Sequence, residues 1–167
     1  MEHQTTTPAS AAGACTTKKH MRSRGRSKKQ APPDPYASTY GTIPFLMFRG
    51  RPWTSTRDLG EAMAGKHVMV FGKVWSVRPL GRARAVVVLL NSLTSCTVRC
   101  VVAAGSHDGA VTTRTVRFAA TLRREAVIDV EGVVSLPEGG KILGTTQQVE
   151  IQVAKIHYLE LGRDGKC

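Results

Sequence analysis

The chain has 167 residues, 41% of them apolar but with only four Phe, three Tyr and two Trp, so it holds enough for one domain whose core is Val, Ile, Leu and Ala rather than rings. Lys and Arg outnumber Asp and Glu by 24 to 12, and the resulting formal charge of +12 points to a polyanionic partner. No apolar run approaches the ~20 residues of a membrane-spanning helix, no secretory leader is expected, and four cysteines without a CxxC pair or clustered histidines argue against a zinc site.

Residues 1 to 39 are expected to form a disordered basic extension. The first 33 contain no Leu, Ile, Val, Phe, Trp or Tyr, so nothing there repays the entropy of folding. Within them Lys18, Lys19, Arg22, Arg24, Arg26, Lys28 and Lys29 supply seven positive charges against Glu2 alone, half the net charge of the chain. Three readings stay open: a phosphate-gripping arm, a targeting segment, and a tail with no selected role. An Arg-rich, acid-poor start suits a mitochondrial transit peptide, but the lack of apolar residues prevents the amphipathic helix that such a peptide needs.

After an extended Pro32 to Pro35, the sequence Tyr40-Gly41-Thr42-Ile43-Pro44 opens a domain expected over residues 40–165. Trp53 to Lys66 reads as a short helix, with Ser55 as N-cap, Asp58 as its capping-box partner, Gly65 as the stop, and Leu59 and Met63 as anchors. The first barrel strand runs from His67 to about Arg78. Val68, Val70, Gly72 and Val74 take the core side, and Met69, Phe71, Lys73 and Trp75 the other. Pro79-Leu80-Gly81 turns the chain into an almost wholly apolar second strand, Arg84 to Leu90, and a third, Cys96 to Ala103, alternates around Arg99. On one strand Cys96 and Cys100 would share a face but lie more than about 10 Å apart, so they are expected to stay as reduced thiols.

Gly105 to Ala110 is a loop. Val116, Ala119 and Ala120 then mark a helix ending near Leu122, and Ala126, Ile128 and Val130 mark a fourth strand that closes near Leu136. Asp129 and Glu131 fall on its polar side and are expected to face solvent rather than to act as a carboxylate pair. His67, His107 and His157 show no ligand spacing and are expected to be structural or solvent-facing. Pro137-Glu138-Gly139-Gly140 starts a long loop without the spacing of a phosphate-binding loop. Val149, Ile151 and Val153, set against Glu150, Gln152 and Ala154, make the closing strand. The expected fold is therefore all-β: a five-stranded Greek-key OB-fold barrel with a helix between its third and fourth strands, a short N-terminal helix and the basic arm.

The run FAATLRREAVIDVEGVV followed by TQQVEIQVAKIHYL resembles the N-terminal anticodon-binding domain of eukaryotic cytosolic aspartyl-tRNA synthetases, class II enzymes, and the likeness extends from about Tyr40 to Leu161. The Thr-Gln-Gln run ahead of a Glu-bearing strand separates this type from the related lysine and asparagine enzymes. The resemblance implies tRNA as partner, read at its anticodon loop by stacking and base-edge contacts. It makes Arg78, three residues before Gly81, a base-stacking or bidentate group, Glu150 an acceptor for base N–H groups, and Gln147 and Gln148 edge readers or supports for the loop. Two positions depart from the family pattern: Val86 stands where a stacking Phe is usual, and Arg99 where a Gln is usual.

Trp75 or Phe71, on the outward side of the first strand, could replace the missing ring. Lys73, Arg82, Arg84, Arg114, Arg117, Arg123 and Arg124 are candidate phosphate contacts. For the whole enzyme the resemblance implies a homodimer using ATP and Mg²⁺ to activate aspartate, with no cofactor, metal or catalytic residue expected in this stretch and no membrane partner. It implies the cytoplasm as location, mitochondria being the alternative, and a basic extension that binds tRNA without sequence preference. A standalone OB-fold RNA binder without ligase activity is the rival reading, and an adaptor in a synthetase assembly a weaker third.

Overall fold

A computed structural model describes residues 37–48 and 50–160; the expected arm, from Lys18 to Lys29, lies outside them, as do Cys15 and Cys167. The elements are β1 (Tyr40–Pro44), β2 (His67–Pro79), β3 (Arg84–Asn91), β4 (Cys96–Ala103), α1 (Thr113–Thr121), β5 (Val127–Ser135) and β6 (Glu150–Glu160). Each of β2, β3, β4, β6 and β5 pairs with the next, and β5 returns to β2. Five strands thus close into a ring with no free edge, the arrangement of an OB-fold, with α1 between β4 and β5. The closing pair β4–β6 is parallel, in register from Arg99↔Glu150 to Val101↔Gln152.

Alternation builds the core. Val68, Val70 and Val74 of β2, Val87 and Leu89 of β3, Ile128 and Val130 of β5, and Ile151 and Val153 of β6 are all buried, with Tyr40 and Phe118 packed against the core only as partly buried rings. Helix α1 closes one end through Thr115, Val116 and Ala119. Its capping box is Thr112 with Thr115, each side-chain oxygen accepting from the other's backbone N–H. Two glycines let strands approach closely. A Cβ on Gly72 would lie 2.5 Å from the Leu90 carbonyl oxygen, and one on Gly132 would overlap the Gln152 carbonyl.

The structure differs from the sequence reading in four places. Tyr40–Pro44 is a sixth strand, parallel to β6 outside the ring. The helix expected over Trp53 to Lys66 is instead two 3₁₀ turns, Thr56–Asp58 and Glu61–Met63, and Ser55 makes no side-chain cap. Gly60 between them is fully extended, which divides the run into two turns, and Thr54 N–H, ahead of the first, donates to the Met69 carbonyl at 2.7 Å. Leu59 is nevertheless buried and Met63 packs on the core.

The alternation of β6 also breaks. Gly132 pairs with Val153 but Glu131 pairs with Lys155, which leaves Ala154 as a bulge and moves the inward position to Ile156. Lastly, Asp129 does not face solvent: it is 1% exposed, and the Trp53 indole N–H donates to it at 2.9 Å while Arg51 pairs with it at 3.3 Å. The 51–53 segment covers that face of β5, which the strand's own pattern could not announce. Burial pushes the Asp129 carboxyl above its ordinary value, opposed by the Trp53 hydrogen bond and the Arg51 charge. Opposite it in the ladder, buried His157 is held below 6.5 by desolvation, opposed by its contact with the Ser38 carbonyl at 3.2 Å. Glu131 keeps partial exposure and pairs with Lys155 at 3.2 Å and His67 at 3.4 Å.

Candidate nucleic-acid interface

The ladder between β2 and β3 slips by one residue: Val74 pairs with Leu89, but Ser76 pairs with Val88, so Trp75 is extra. A bulge reverses the facing of every residue beyond it. Without it Arg78 would share the core side with Val68, Val70 and Val74; with it Val77 packs on the core and Arg78 is exposed. Trp75 and Arg78 therefore come to one outer surface.

Two cross-strand rows organise that surface. Ser76 meets Val88, Val88 meets Arg99, and Arg99 meets Glu150; beside them Arg78 meets Val86, Val86 meets Val101, and Val101 meets Gln152. Trp75, Arg78, Leu80, Val86, Val88 and Arg99 line a cleft of about 280 Å³, and Ile142 to Thr145, from the loop before β6, form its remaining wall. Val86 is 7% exposed and Trp75 43%, so the floor is aliphatic and the ring stands at the side. The Arg124 guanidinium lies 4.4 Å from the centre of the Trp75 ring, within cation–π range.

Arg99 Nε sits 3.2 Å from Glu150 Oε1, yet its N–H is not aimed at that oxygen. The contact is one of charge without a directed hydrogen bond, so the guanidinium keeps donors for a ligand. Glu150 is buried and Arg99 about a third exposed, which makes Arg99 the member of the pair that the cleft meets. Arg78 forms no ion pair among the described residues.

The loop wall is held by side chains of the TTQQ run. Gln148 accepts from Ile142 N–H at 3.0 Å and donates to the carbonyls of Ile142 and Thr145. Thr146 and Thr97 exchange three hydrogen bonds of 2.7 to 3.1 Å, which pins the loop to the start of β4. Gln148 is thus a loop support. Among the described residues Gln147 bonds through its backbone alone and leaves its half-buried amide uncommitted.

The candidates do not all converge. Trp75, Arg78, Val86 and Arg99 line the cleft, with Glu150 directly behind Arg99. Phe71 does not: its ring packs on Trp53 at 4.7 Å and sits opposite Asp129 in the ladder. Lys73 pairs with Glu125 at 3.2 Å and is also outside the cleft. Leu80, the Ile142–Leu143 wall and the Thr97–Thr146 clamp went unread in the sequence. A lone apolar pair in a glycine-flanked loop was their signal. Among the described residues no three His, Cys, Asp or Glu side chains converge as a metal site, and burial pushes the free Cys100 thiol up to about 12.

A closed five-stranded ring with an aliphatic, arginine-lined cleft on its outer face defines an OB-fold binding module. No protein-family model matches the sequence. The chain is 42% identical over 110 residues to the cytoplasmic aspartate-tRNA ligase 2 of Arabidopsis thaliana, covering 66% of this chain and 19% of that one. To the human cytoplasmic aspartate-tRNA ligase it is 35% identical over 106 residues, covering 63% and 20%. The aspartyl-tRNA synthetase of Entamoeba histolytica shares the fold, with a TM-score of 0.65 over 79% of this chain and 26% of that one at 24% identity. The barrel is an OB-fold domain of the kind that aspartyl-tRNA synthetases carry as their N-terminal anticodon-binding domain. The chain spans about a fifth of the curated relatives it matches.

Proposed function

We propose that this domain holds tRNA by its anticodon loop, with unpaired bases entering the cleft of Trp75, Arg78, Val86 and Arg99. The observation that carries the reading is the row joining Arg99 to Glu150 beside the Arg78–Val86 pair. It sets two planar donors and one carboxylate acceptor around an aliphatic floor, a set able to hold a base by its plane and its edge. Arg78 and Arg99 donate to base acceptors or phosphates, Glu150 accepts from a base N–H once Arg99 shifts toward the ligand, and Gln147 offers an uncommitted amide. Trp75 supplies the stacking surface that Val86 lacks. Lys18 to Lys29 add phosphate contacts without sequence preference.

The similarity to cytoplasmic aspartate-tRNA ligases supports a wider proposal: the domain serves aspartyl-tRNA synthesis in the cytoplasm by a homodimeric enzyme. ATP and Mg²⁺ belong to that reaction. The described residues offer neither a phosphate loop nor a metal cluster, and no step of the chemistry is assigned to them. A second reading is favoured by Val86 and Arg99, which remove a ring and an acceptor from the base-reading face: a binder of single-stranded RNA that has lost the code.

Fluorescence anisotropy with anticodon stem-loops separates the two. The aspartate loop should bind more tightly than one altered at its anticodon bases, and Glu150→Gln should shrink the difference. Equal affinity for both loops would instead establish the generic binder.

A further inference from the structure

The turn between β2 and β3 has two sides. Arg78 and Leu80 border the cleft, whereas Gly81 and Arg82 look across a second groove at α1, whose Thr113, Val116, Arg117 and Ala120 form the other wall. The groove encloses about 640 Å³. Gly81 turns the chain there with φ 81°, a backbone state that side-chain-bearing residues rarely adopt.

Its charge is unbalanced. From Ser76 to Arg124 the sequence carries eight arginines against one acid, Asp108. Elsewhere on the barrel bases meet acids: Arg51 with Asp129, Lys73 with Glu125, Lys155 with Glu131. Arg82 and Arg117 are exposed and have no such partner among the described residues. Two solvated guanidiniums over an apolar floor of Val116 and Ala120, one turn away from the cleft, suit a sugar-phosphate backbone better than a base, because no aromatic lines the groove.

We infer that this groove grips the backbone of the RNA strand that leaves the cleft, so that one stem-loop engages both sides of the turn. The inference rests on the cleft being an RNA site and adds a second contact that carries affinity but no sequence preference. Neutralising phosphates releases counterions, and the salt dependence of binding counts them.

The test uses the full chain and the double variant Arg82→Gln/Arg117→Gln, with a stem-loop and with its loop sequence alone as an unpaired oligonucleotide. For the stem-loop the slope of log affinity against log salt should become shallower by about 1.4 to 1.8, at ~0.7 to ~0.9 per phosphate lost. Binding of the loop alone, and the thermal midpoint, should stay as in the parent. The charge-reversed pair Arg82→Glu/Arg117→Glu should weaken stem-loop binding further. An unchanged slope in a folded variant overturns the groove. So does competition by polyglutamate equal to that by RNA, which would make the surface a dock for acidic protein. If the parent shows no preference among loops but the slope still falls in the variant, the anticodon-specific reading fails and the groove stands beside a cleft that binds RNA without preference.

Discussion

Phe71 and Trp75 lie four residues apart on one strand and do different work. Phe71 is half-buried, packed on Trp53 at 4.7 Å, and so belongs to the layer that covers Asp129. Trp75 is the bulged residue, 43% exposed and backed by Arg124, with nothing to shield it if the cleft is empty. The two substitutions should therefore separate binding from stability. Trp75→Ala should cost about 1–3 kcal/mol of affinity for single-stranded RNA, the worth of one base–aromatic stack, and little stability. Phe71→Leu should lower the denaturation midpoint and leave affinity unchanged. Anisotropy and urea melts on the same two proteins check both, and an RNA defect confined to Phe71→Leu would move the stacking platform away from the cleft.

At the scale of elements, bulges and close approaches decide which side chains reach the surface. The β5–β6 crossing depends on Gly132, where a Cβ would overlap the Gln152 carbonyl on a partner strand that cannot retreat without opening the ring. Gly132→Ala should cost about 3 kcal/mol or more, at the upper end of overpacking penalties, read from urea denaturation. The cleft residues should lose RNA affinity with it, since Glu150 and Gln152 ride on the same strand. β2, β4, β5, β6 and α1 were legible in the sequence because their apolar periods of two and of three to four hold over most of their lengths, and β3 because it is a short, almost wholly apolar run behind a turn. The bulge at Trp75 left only a faint trace, the apolar spacing of three from Val74 to Val77. β1 left none: Tyr-Gly-Thr-Ile-Pro does not alternate, and its strand state comes from pairing with β6. The Ser55 to Asp58 spacing imitates a capping box, but Ser55 makes no side-chain cap and the extended Gly60 ends the turn that follows it. What united Arg78, Val86, Arg99 and Glu150 before the fold was known was resemblance, since their spacings of eight, thirteen and fifty-one carry no local signal.

For the molecule as a whole, two buried titrating groups facing each other across β5 and β6 set opposite pH responses. His157, held below its ordinary 6.5, is neutral in the fold and charged in the unfolded chain between its folded value and 6.5. In that window the unfolded state binds more protons, so its share of stability is intact above 6.5 and is lost as the pH falls through the folded value. Asp129 runs the other way. Its folded value lies above 3.8, so between the two the folded state holds the extra proton and stability declines as pH rises through that interval. On acidification from neutrality the His157 loss should begin below 6.5, and neutralisation of the Asp129 carboxyl should oppose it. His157→Gln should flatten the fall just below 6.5 while lowering the plateau, and Asp129→Asn should remove the opposing gain while the fall that begins at 6.5 persists. Urea melts across a pH series read both slopes. The same fall below 6.5 in His157→Gln would shift the response to other groups and leave the β5–β6 pair a packing feature alone.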